Sequence, residues 1–308
     1  MASQKFDPQK IDGILLLDKP VGLSSNTAMQ IAKRIFRAKK AGHTGSLDVL
    51  AEGMLPICFG EATKFSQYLL DSDKSYSTVA ALGAMTNTGD AEGEIIARSD
   101  IDHITQEKIQ TVLENFQGEI EQIPPMYSAL KFQGKPLYRL AREGIEISRQ
   151  SRKVFIHNLK LLSYQNGELT LEVRCSKGTY IRTLVEDIGK VLGCGAYVKK
   201  LRRTSAGPYQ ENQMITVEKL KECPPENLQD YLLSPTTALS KYPELKLSEA
   251  EVFSLIRGQE VLLNQCKESG CVQIYTDQNQ FLGLGEVLAD GQLKVRRLLD
   301  TSILMSKI

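Results

Sequence analysis

The hydrophobic pattern of the first 60 residues predicts a strand followed by a helix. Gly13–Lys19 is an almost continuous apolar run, which is typical of a strand buried on both faces. Ser24 or Ser25 can cap the segment that follows, and residues 26–40 place apolar side chains at helical spacing. The cations between them lie outside the apolar stripe, so the predicted helix has one core face and one basic face.

The same alternation continues through the middle of the chain. Residues 74–83 predict a strand, and residues 106–116 predict an amphipathic helix capped by Thr105. Residues 169–175 alternate as a half-buried strand does, and residues 180–192 then carry apolar side chains at helical spacing up to Gly193. Strands and helices are therefore mixed along one chain.

The last third of the chain has a different pattern. Polar, proline-bearing stretches at 223–226 and 234–243 predict a boundary region. Beyond them, a capping box from Ser248 to Glu251 opens a short helix, and short strands joined by turn sequences follow. We expect a first domain over residues 1–243 and a small β-rich domain over residues 244–308, and a length of 308 residues suits two domains.

Composition excludes several classes of protein. With 42% apolar and 24% charged residues, and no apolar run of about 18 residues, the chain is neither disordered nor membrane-spanning by pattern. Six scattered cysteines and three histidines support neither a disulfide framework nor a zinc site, so no metal is expected. The polar N-terminal residues lack a targeting pattern, and we expect a cytoplasmic protein.

The formal net charge of +1 hides two segments of opposite sign. Residues 85–123 carry nine acidic and two basic residues, whereas residues 124–160 carry eight basic and two acidic ones. Tyr127, Phe132 and Tyr138 lie among the cations of the second segment, a mixture that suits phosphate contact and base stacking. A solvated charged loop has the same composition, and the sequence leaves both interpretations open.

The candidate chemistry lies in the glycine-rich segment of residues 41–56, AGHTGSLDVLAEGMLP. Its one aspartate is Asp48, with His43 close by. Asp48 is either a functional carboxylate or an ordinary turn aspartate, and His43 is either a functional or a structural histidine. Arg182 is likewise either a solvated helix-face charge or the partner of a buried acid, and spacing alone does not decide between them.

Four segments stand in order along the chain: LDKPVGLSSN (17–26), AGHTGSLDVLAEGMLPICFGEATK (41–64), KSYSTVAALGAMTNTGDAEGEI (74–95) and KGTYIRTLVEDIGKVLGCGAYVKKLRRTSAGPY (177–209). In order and spacing they resemble the bacterial TruB-type tRNA pseudouridine-55 synthases. The resemblance implies an α+β pseudouridine synthase fold, with a mixed, largely antiparallel sheet, flanking helices and a central cleft. It also implies that residues of about 124–152 form an RNA-gripping insertion and that residues 244–308 form a PUA-like RNA-binding domain.

The resemblance further implies the reaction and the residues that carry it. The expected reaction is isomerisation of a flipped-out uridine in the T loop of tRNA to pseudouridine, without metal or cofactor. Asp48 matches the catalytic aspartate and Arg182 the arginine that pairs with it. The other matched positions are the substrate contacts His43, Tyr76, Tyr180 and Leu201, and the loop-supporting residues Lys19, Pro20, Gly42 and Gly45.

The resemblance also sets the expected partners and the competing functions. The tRNA T stem-loop is the expected partner, and we expect a monomer that needs neither guide RNA nor another protein. The alternatives are a tRNA-binding or tRNA-folding module with secondary or no catalysis, and a protein of a guide-RNA pseudouridylation particle. The chain departs from the family's common pattern at four positions, Ser46, Val49, Glu52 and Tyr197. Val49 replaces a proline, which predicts a less rigid loop after Asp48.

Overall fold

The structure is a computed structural model that describes residues 8–263 and 269–300. The strands up to residue 233 are β1 (Gly13–Lys19), β2 (Ala41–His43), β3 (Glu52–Phe59), β4 (Lys74–Leu82), β5 (Ala84–Thr86), β6 (Ile95–Arg98), β7 (Gly118–Gln122), β8 (Lys131–Phe132), β9 (Lys135–Pro136), β10 (Arg152–Gln165), β11 (Glu168–Cys175), β12 (Ala196–Ala206), β13 (Ile215–Thr216) and β14 (Leu232–Leu233). The helices are α1 (Ser25–Ile35), α2 (Ser66–Leu70), α3 (Gln106–Glu114), α4 (Leu137–Arg142), α5 (Ile181–Leu192), α6 (Val217–Glu222) and α7 (Glu249–Ile256).

A single large sheet organises the first domain. Its strand order is β13-β1-β3-β12-β4-β11-β10-β7, with β14 paired to β1 and β2 paired to β3. The β1–β13 and β3–β12 pairs are parallel and the other pairs are antiparallel. The expected mixed, largely antiparallel sheet is therefore confirmed.

Burial along the strands follows the predicted patterns. β1 is buried along nearly its whole length, as its continuous apolar run indicates, because Leu15 and Leu17 pack in one apolar cluster and Ile14 and Leu16 in another. β4 alternates strictly between buried and half-buried positions. Its buried face packs, together with β11 and β12, against α3 and α5 in one apolar cluster that includes Leu47 and Ala51. Leu47 and Ala51, which lie on either side of Asp48, thus anchor its loop in the core.

Helix α1 begins as predicted but ends earlier. Ser24 is the cap, and its side chain accepts a hydrogen bond from the Thr27 N–H at 3.1 Å. The helix ends at Ile35 rather than near Lys40, because Arg37 adopts a left-handed conformation with φ of 50°. The prediction was wrong there, since periodicity alone does not register a change of backbone conformation.

Helix α5 ends as predicted. Gly193 follows it with φ of 82°, the left-handed conformation that closes a helix C-terminus. Tyr180 is its N-terminal cap residue, so Arg182 lies in the first helical turn, on the side that faces the Asp48 loop.

A second sheet begins at Glu244. Its strands are β15 (Glu244–Leu247), β16 (Val261–Leu262), β17 (Gly270–Thr276), β18 (Phe281–Val287) and β19 (Gln292–Leu298), in the order β15-β17-β18-β19-β16. Helix α7 opens with the predicted capping box, in which Ser248 and Glu251 bond reciprocally. The β-rich C-terminal module is confirmed over its described residues; the last eight residues of the predicted domain lie outside them.

The two sheets share a small apolar cluster. Phe65 and Leu239 pack with Leu284 of β18. Beside them the Lys64 ammonium donates to the Leu298 carbonyl oxygen at 3.0 Å. In the part of the chain that the structure describes, no helix is both long and apolar enough to cross a membrane.

Candidate active site

Asp48 lies on the loop between β2 and β3, and the neighbouring backbone is held from two sides. The hydroxyl of Ser25 accepts a hydrogen bond from the Leu47 N–H at 2.7 Å and donates one to the Leu47 carbonyl oxygen at 3.0 Å. The Gly22 N–H donates to the carbonyl oxygen of Val49 at 2.9 Å. The Asp48 side chain itself is 42% exposed, so its carboxylate is fixed in place and accessible.

Arg182 binds the Asp48 carboxylate with two nitrogens. Its Nε lies 2.9 Å from Oδ2 and its Nη2 lies 3.2 Å from Oδ1. This two-point geometry fixes the plane of the carboxylate, which a lysine does not do. Because only 5% of the Arg182 side chain is exposed, it is the partner of an acid and not a solvated helix-face charge.

The remaining donors of Arg182 hold it rigidly. Nη1 donates to the Thr88 carbonyl oxygen at 2.8 Å, and Nη2 donates to the Tyr127 carbonyl oxygen at 2.6 Å. A second acid, Asp90, lies with Oδ2 3.6 Å from Nη1, and its side chain is 5% exposed. One guanidinium thus links the Asp48 loop, the loop after β5 and the start of the basic insertion.

The charges around Asp48 shift its pKa in opposite directions. Burial raises the pKa of Asp48, the Arg182 guanidinium lowers it, and the Asp90 carboxylate raises it. The net result is a pKa above the ordinary value of an aspartate. Burial also lowers the pKa of Lys19 to about 8, and the positive charge of Lys19 favours the ionised form of Asp48.

The aromatic and apolar candidates lie around this ion pair. Tyr76, on β4, is 9% exposed and belongs to the same apolar cluster as Leu201, which is 7% exposed on β12. The Tyr180 N–H donates to Gln122 Oε1 at 3.0 Å, and Gln122 Nε2 donates to the Tyr180 carbonyl oxygen at 3.2 Å. Both tyrosines are close enough to Asp48 for its negative charge to raise their pKa.

These residues fall in a chain that matches known family models over nearly its whole length. Residues 33–181 match the TruB family pseudouridylate synthase N-terminal domain, residues 182–240 match the tRNA pseudouridylate synthase B C-terminal domain, and residues 243–299 match the pseudouridine synthase II TruB C-terminal model. The chain belongs to the TruB family of pseudouridylate synthases. The predicted family is confirmed.

Curated relatives cover the chain from end to end. It is 50% identical over 305 residues to tRNA pseudouridine synthase B of Ectopseudomonas mendocina (strain ymp), with 98% of this chain and 99% of that protein covered. It is 49% identical over 300 residues to tRNA pseudouridine synthase B of Coxiella burnetii (strain Dugway 5J108-111), covering 96% of this chain and 97% of that one. The chain is therefore an enzyme of the pseudouridine synthase class.

Solved structures share the fold. A Cbf5-Nop10-Gar1 complex contains a chain with a TM-score of 0.69 and 25% identity, over 93% of this chain and 84% of that chain. An H/ACA RNP bound to a substrate RNA containing 2′-deoxyuridine gives a TM-score of 0.69 and 24% identity, over 93% and 84% of the two chains. The α+β pseudouridine synthase fold is thereby confirmed.

The structure shows which of the residues predicted to support the Asp48 loop need their residue type for the fold. Lys19 is fully buried, and its ammonium donates to the carbonyl oxygens of Pro20 and Leu23 at 2.8 and 2.7 Å. Gly45 has a φ of 105°, a left-handed conformation that favours glycine. A Cβ at Gly42 meets no atom within 4 Å, so the protein itself does not require glycine there.

His43 lies at the far end of the loop from Asp48, on β2 opposite Ile57. Burial and the Arg203 guanidinium lower its pKa, so the imidazole is neutral at pH 7. Its Nδ1 is buried and has no hydrogen-bond partner among the residues that the structure describes. The structure thus places His43 beside the Asp48 loop and not against the carboxylate.

Two of the departures from the family pattern have a structural account. Glu52 differs from the residue that is common in the family, and it joins the ion-pair network of Arg202: its Oε1 lies 3.6 Å from Arg202 Nη1. Val49 is 37% exposed beside Asp48. Nothing in the structure explains Ser46 or Tyr197.

Four cations lie on β12, and the structure places them differently. Arg202 pairs with Asp18 at 2.9 Å and with Glu211 at 2.6 Å. Lys199 pairs with Glu168, Lys200 is exposed, and Arg203 is only 1% exposed. Arg202 and Arg203 differ because successive side chains of one strand point to opposite faces of the sheet.

Sequence reasoning missed three residues that shape the site. Asp90 lies within the quoted segment TNTGDAEGE, where an aspartate near glycines resembles the setting of Asp48. The sequence predicted only a capping role for Ser25 and no role in the site for Arg203. For Ser25 and Arg203 no local signal exists, since their partners lie 22 or more residues away.

Proposed function

We propose that this chain isomerises a uridine in the T loop of tRNA to pseudouridine, acting without guide RNA and with Asp48 as the catalytic residue. The observation that carries the proposal is the two-point Asp48–Arg182 ion pair, whose carboxylate is 42% exposed. Curated relatives that are 50% identical are named tRNA pseudouridine synthase B, which supports tRNA as the substrate. The T-loop position comes from the resemblance of the motifs.

The proposed reaction is redox-neutral. The bond between N1 of uracil and C1′ of the ribose breaks, the base turns, and a bond between C5 and C1′ forms; C5 loses a proton and N1 gains one. An ionised carboxylate can serve as nucleophile towards a carbon of the base or of the sugar. Arg182 supports this role because it favours the ionised form of Asp48 and fixes its orientation. We therefore expect no metal or cofactor.

The surroundings of Asp48 support binding of a flipped-out base. A uridine inside a folded loop must leave its stack before Asp48 can reach it, which costs a few kcal/mol. Tyr76, Tyr180 and Leu201 offer aromatic and apolar surface beside the ion pair. Neutral His43 and the open space beside Gly42 lie at the edge of the same loop, where we expect the T loop to pack.

The proposed RNA contact surface is the insertion over residues of about 124–152, and it adjoins the site directly. Its cations Lys131, Lys135, Arg139 and Arg142 are exposed. Arg142 lies over the Tyr138 ring at 5.7 Å, so basic and aromatic groups are presented together. We assign RNA contacts also to the domain over residues 244–308, and we expect a cytoplasmic monomer.

The proposal is tested by tritium release from a tRNA transcript labelled at uridine C5, with chelator present and no guide RNA. We expect release by the native chain and none by Asp48→Asn, because the amide cannot act as an anionic nucleophile. Asp187→Asn is a matched control, since that half-buried carboxylate pairs with Lys190 on α5. We expect it to keep the native rate.

The outcomes separate the candidate functions. No release by the native chain, together with salt-sensitive tRNA binding, would leave a tRNA-binding or tRNA-folding module as the better account. Release only after addition of a guide RNA would favour the particle component, the class to which the structural neighbours belong.

A further inference from the structure

Arg203 lies beneath the Asp48 loop with its guanidinium buried in the protein. It is 1% exposed and is among the largest fully buried side chains of the described residues. We propose that Arg203 is a positioning residue, which fixes the Asp48 loop relative to the ring of Tyr76. The inference rests on the proposed function, because it assigns Tyr76 and Asp48 to one substrate-binding unit.

The contacts of Arg203 span the whole loop. Its Nη2 donates to the Gly45 carbonyl oxygen at 3.1 Å, three residues before Asp48, and its Nε donates to the Met54 carbonyl oxygen at 2.6 Å, six residues after it. In the sheet Arg203 pairs with Tyr76 on one side and with Gly53 on the other. One side chain therefore ties both ends of the loop to β12, the strand that pairs with the one carrying Tyr76.

The backbones of Gly53 and Arg203 lie in close contact. A Cβ on Gly53, whose φ is 97°, would lie 2.3 Å from the Arg203 carbonyl oxygen. The strand of Arg203 and the end of the Asp48 loop thus touch through their backbones. A shift of Arg203 moves the loop with it.

The charge of Arg203 is unusual for a residue with a purely structural role. Its partners are the carbonyl oxygens of Met54 and Gly45 and the side chain of Tyr76, and among the described residues no carboxylate forms an ion pair with it. Burying a cation without an anion carries a large desolvation cost, which an apolar side chain would avoid. Arg202, the preceding residue, faces the opposite side of the sheet and is paired with Asp18. The Arg203 charge therefore lies on the side of the sheet that faces the loop and Tyr76.

That charge reaches the titratable groups around the loop. It adds to burial in lowering the pKa of His43 and of Lys74, and it opposes the rise that burial causes in the pKa of Tyr76. An uncharged side chain at this position would have no electrostatic effect on these pKa values. The pKa of His43 is therefore lowered by burial and, in addition, by the Arg203 guanidinium, so it responds to loss of that charge.

The test compares Arg203→Met, Arg203→Lys and the native chain. We expect Arg203→Met to lower kcat for tritium release about tenfold or more while KM changes less than about threefold, because the loop loses its alignment and the RNA contacts remain. The His43 pKa, followed by NMR, should rise in this variant. His157, which pairs with Asp73, serves as the internal reference.

Arg203→Lys keeps the charge but cannot reach both carbonyl oxygens. We expect it to retain the low His43 pKa and to recover only part of the lost kcat. Lys199→Met is the matched control on β12, since Lys199 is exposed and pairs with Glu168. It should leave kcat and the His43 pKa unchanged.

Three results would overturn the proposal. They are a native kcat in Arg203→Met, an unchanged His43 pKa in that variant, and a native kcat in Arg203→Lys. If Arg203→Met does not fold, the kcat of Arg203→Lys tests the proposal. An inactive native chain would instead refute the proposed function, whereas the His43 titration remains readable without turnover.

Discussion

Ser25 offers a sharp test of how the fold holds Asp48 in place. Its hydroxyl is the partner of both the N–H and the carbonyl oxygen of Leu47, the residue before Asp48. Ser25 and Leu47 are 4% and 6% exposed, so water does not easily replace the hydroxyl. Ser25→Ala therefore leaves two buried backbone groups without partners.

The size of the effect follows from these two groups. Each buried group without a partner costs about 1–3 kcal/mol, and partial relaxation of the loop leaves an expected loss of about 2–4 kcal/mol in the free energy of unfolding. If the loop relaxes by moving, Asp48 loses its alignment. Misplacement by about 1 Å can cost a hundredfold in rate, and we expect kcat to fall about tenfold to a hundredfold.

Ser24→Ala is the matched control because it removes a hydroxyl from the adjacent residue. Ser24 caps α1 through the Thr27 N–H and does not contact Leu47. We expect it to lose about 1 kcal/mol of stability while kcat stays native. Urea unfolding and tritium release measure the two quantities separately. A native kcat in Ser25→Ala, or an equal loss of kcat in Ser24→Ala, would refute the reasoning.

Three further predictions concern the same site. The rate should fall as pH drops through the raised pKa of Asp48, because protonation removes the proposed nucleophile. A second decrease in rate at high pH, near the Lys19 pKa of about 8, should make the pH–rate profile bell-shaped. Asp90→Asn should move the acid limb to lower pH, since the Asp90 charge raises the Asp48 pKa; an unmoved limb in the pH–rate profile would contradict this. Gly53→Ala should lose activity and thermal stability together, because its Cβ would overlap the Arg203 backbone; a native melting temperature would argue against that fit.

The sequence by itself determined the elements and the position of the candidate chemistry. The apolar run of β1, the alternation of β11 and the stripe of α5 are local patterns, and local patterns encode period and burial. Ordered motifs directed attention to Asp48 and Arg182. Within the residues alone, however, Asp48 remained one aspartate in a glycine-rich loop, because nothing near it in the chain reveals a partner.

Only the tertiary structure decided which of these residues meet. Arg182 reaches Asp48 across 134 residues of chain, and Arg203 reaches the Met54 carbonyl oxygen across 149. Such pairs depend on strand order and register, which no periodicity specifies. The two neighbouring arginines of β12 show the consequence. Arg202 faces acids at the surface and Arg203 is buried beneath the Asp48 loop, because successive side chains of a strand point to opposite faces of the sheet.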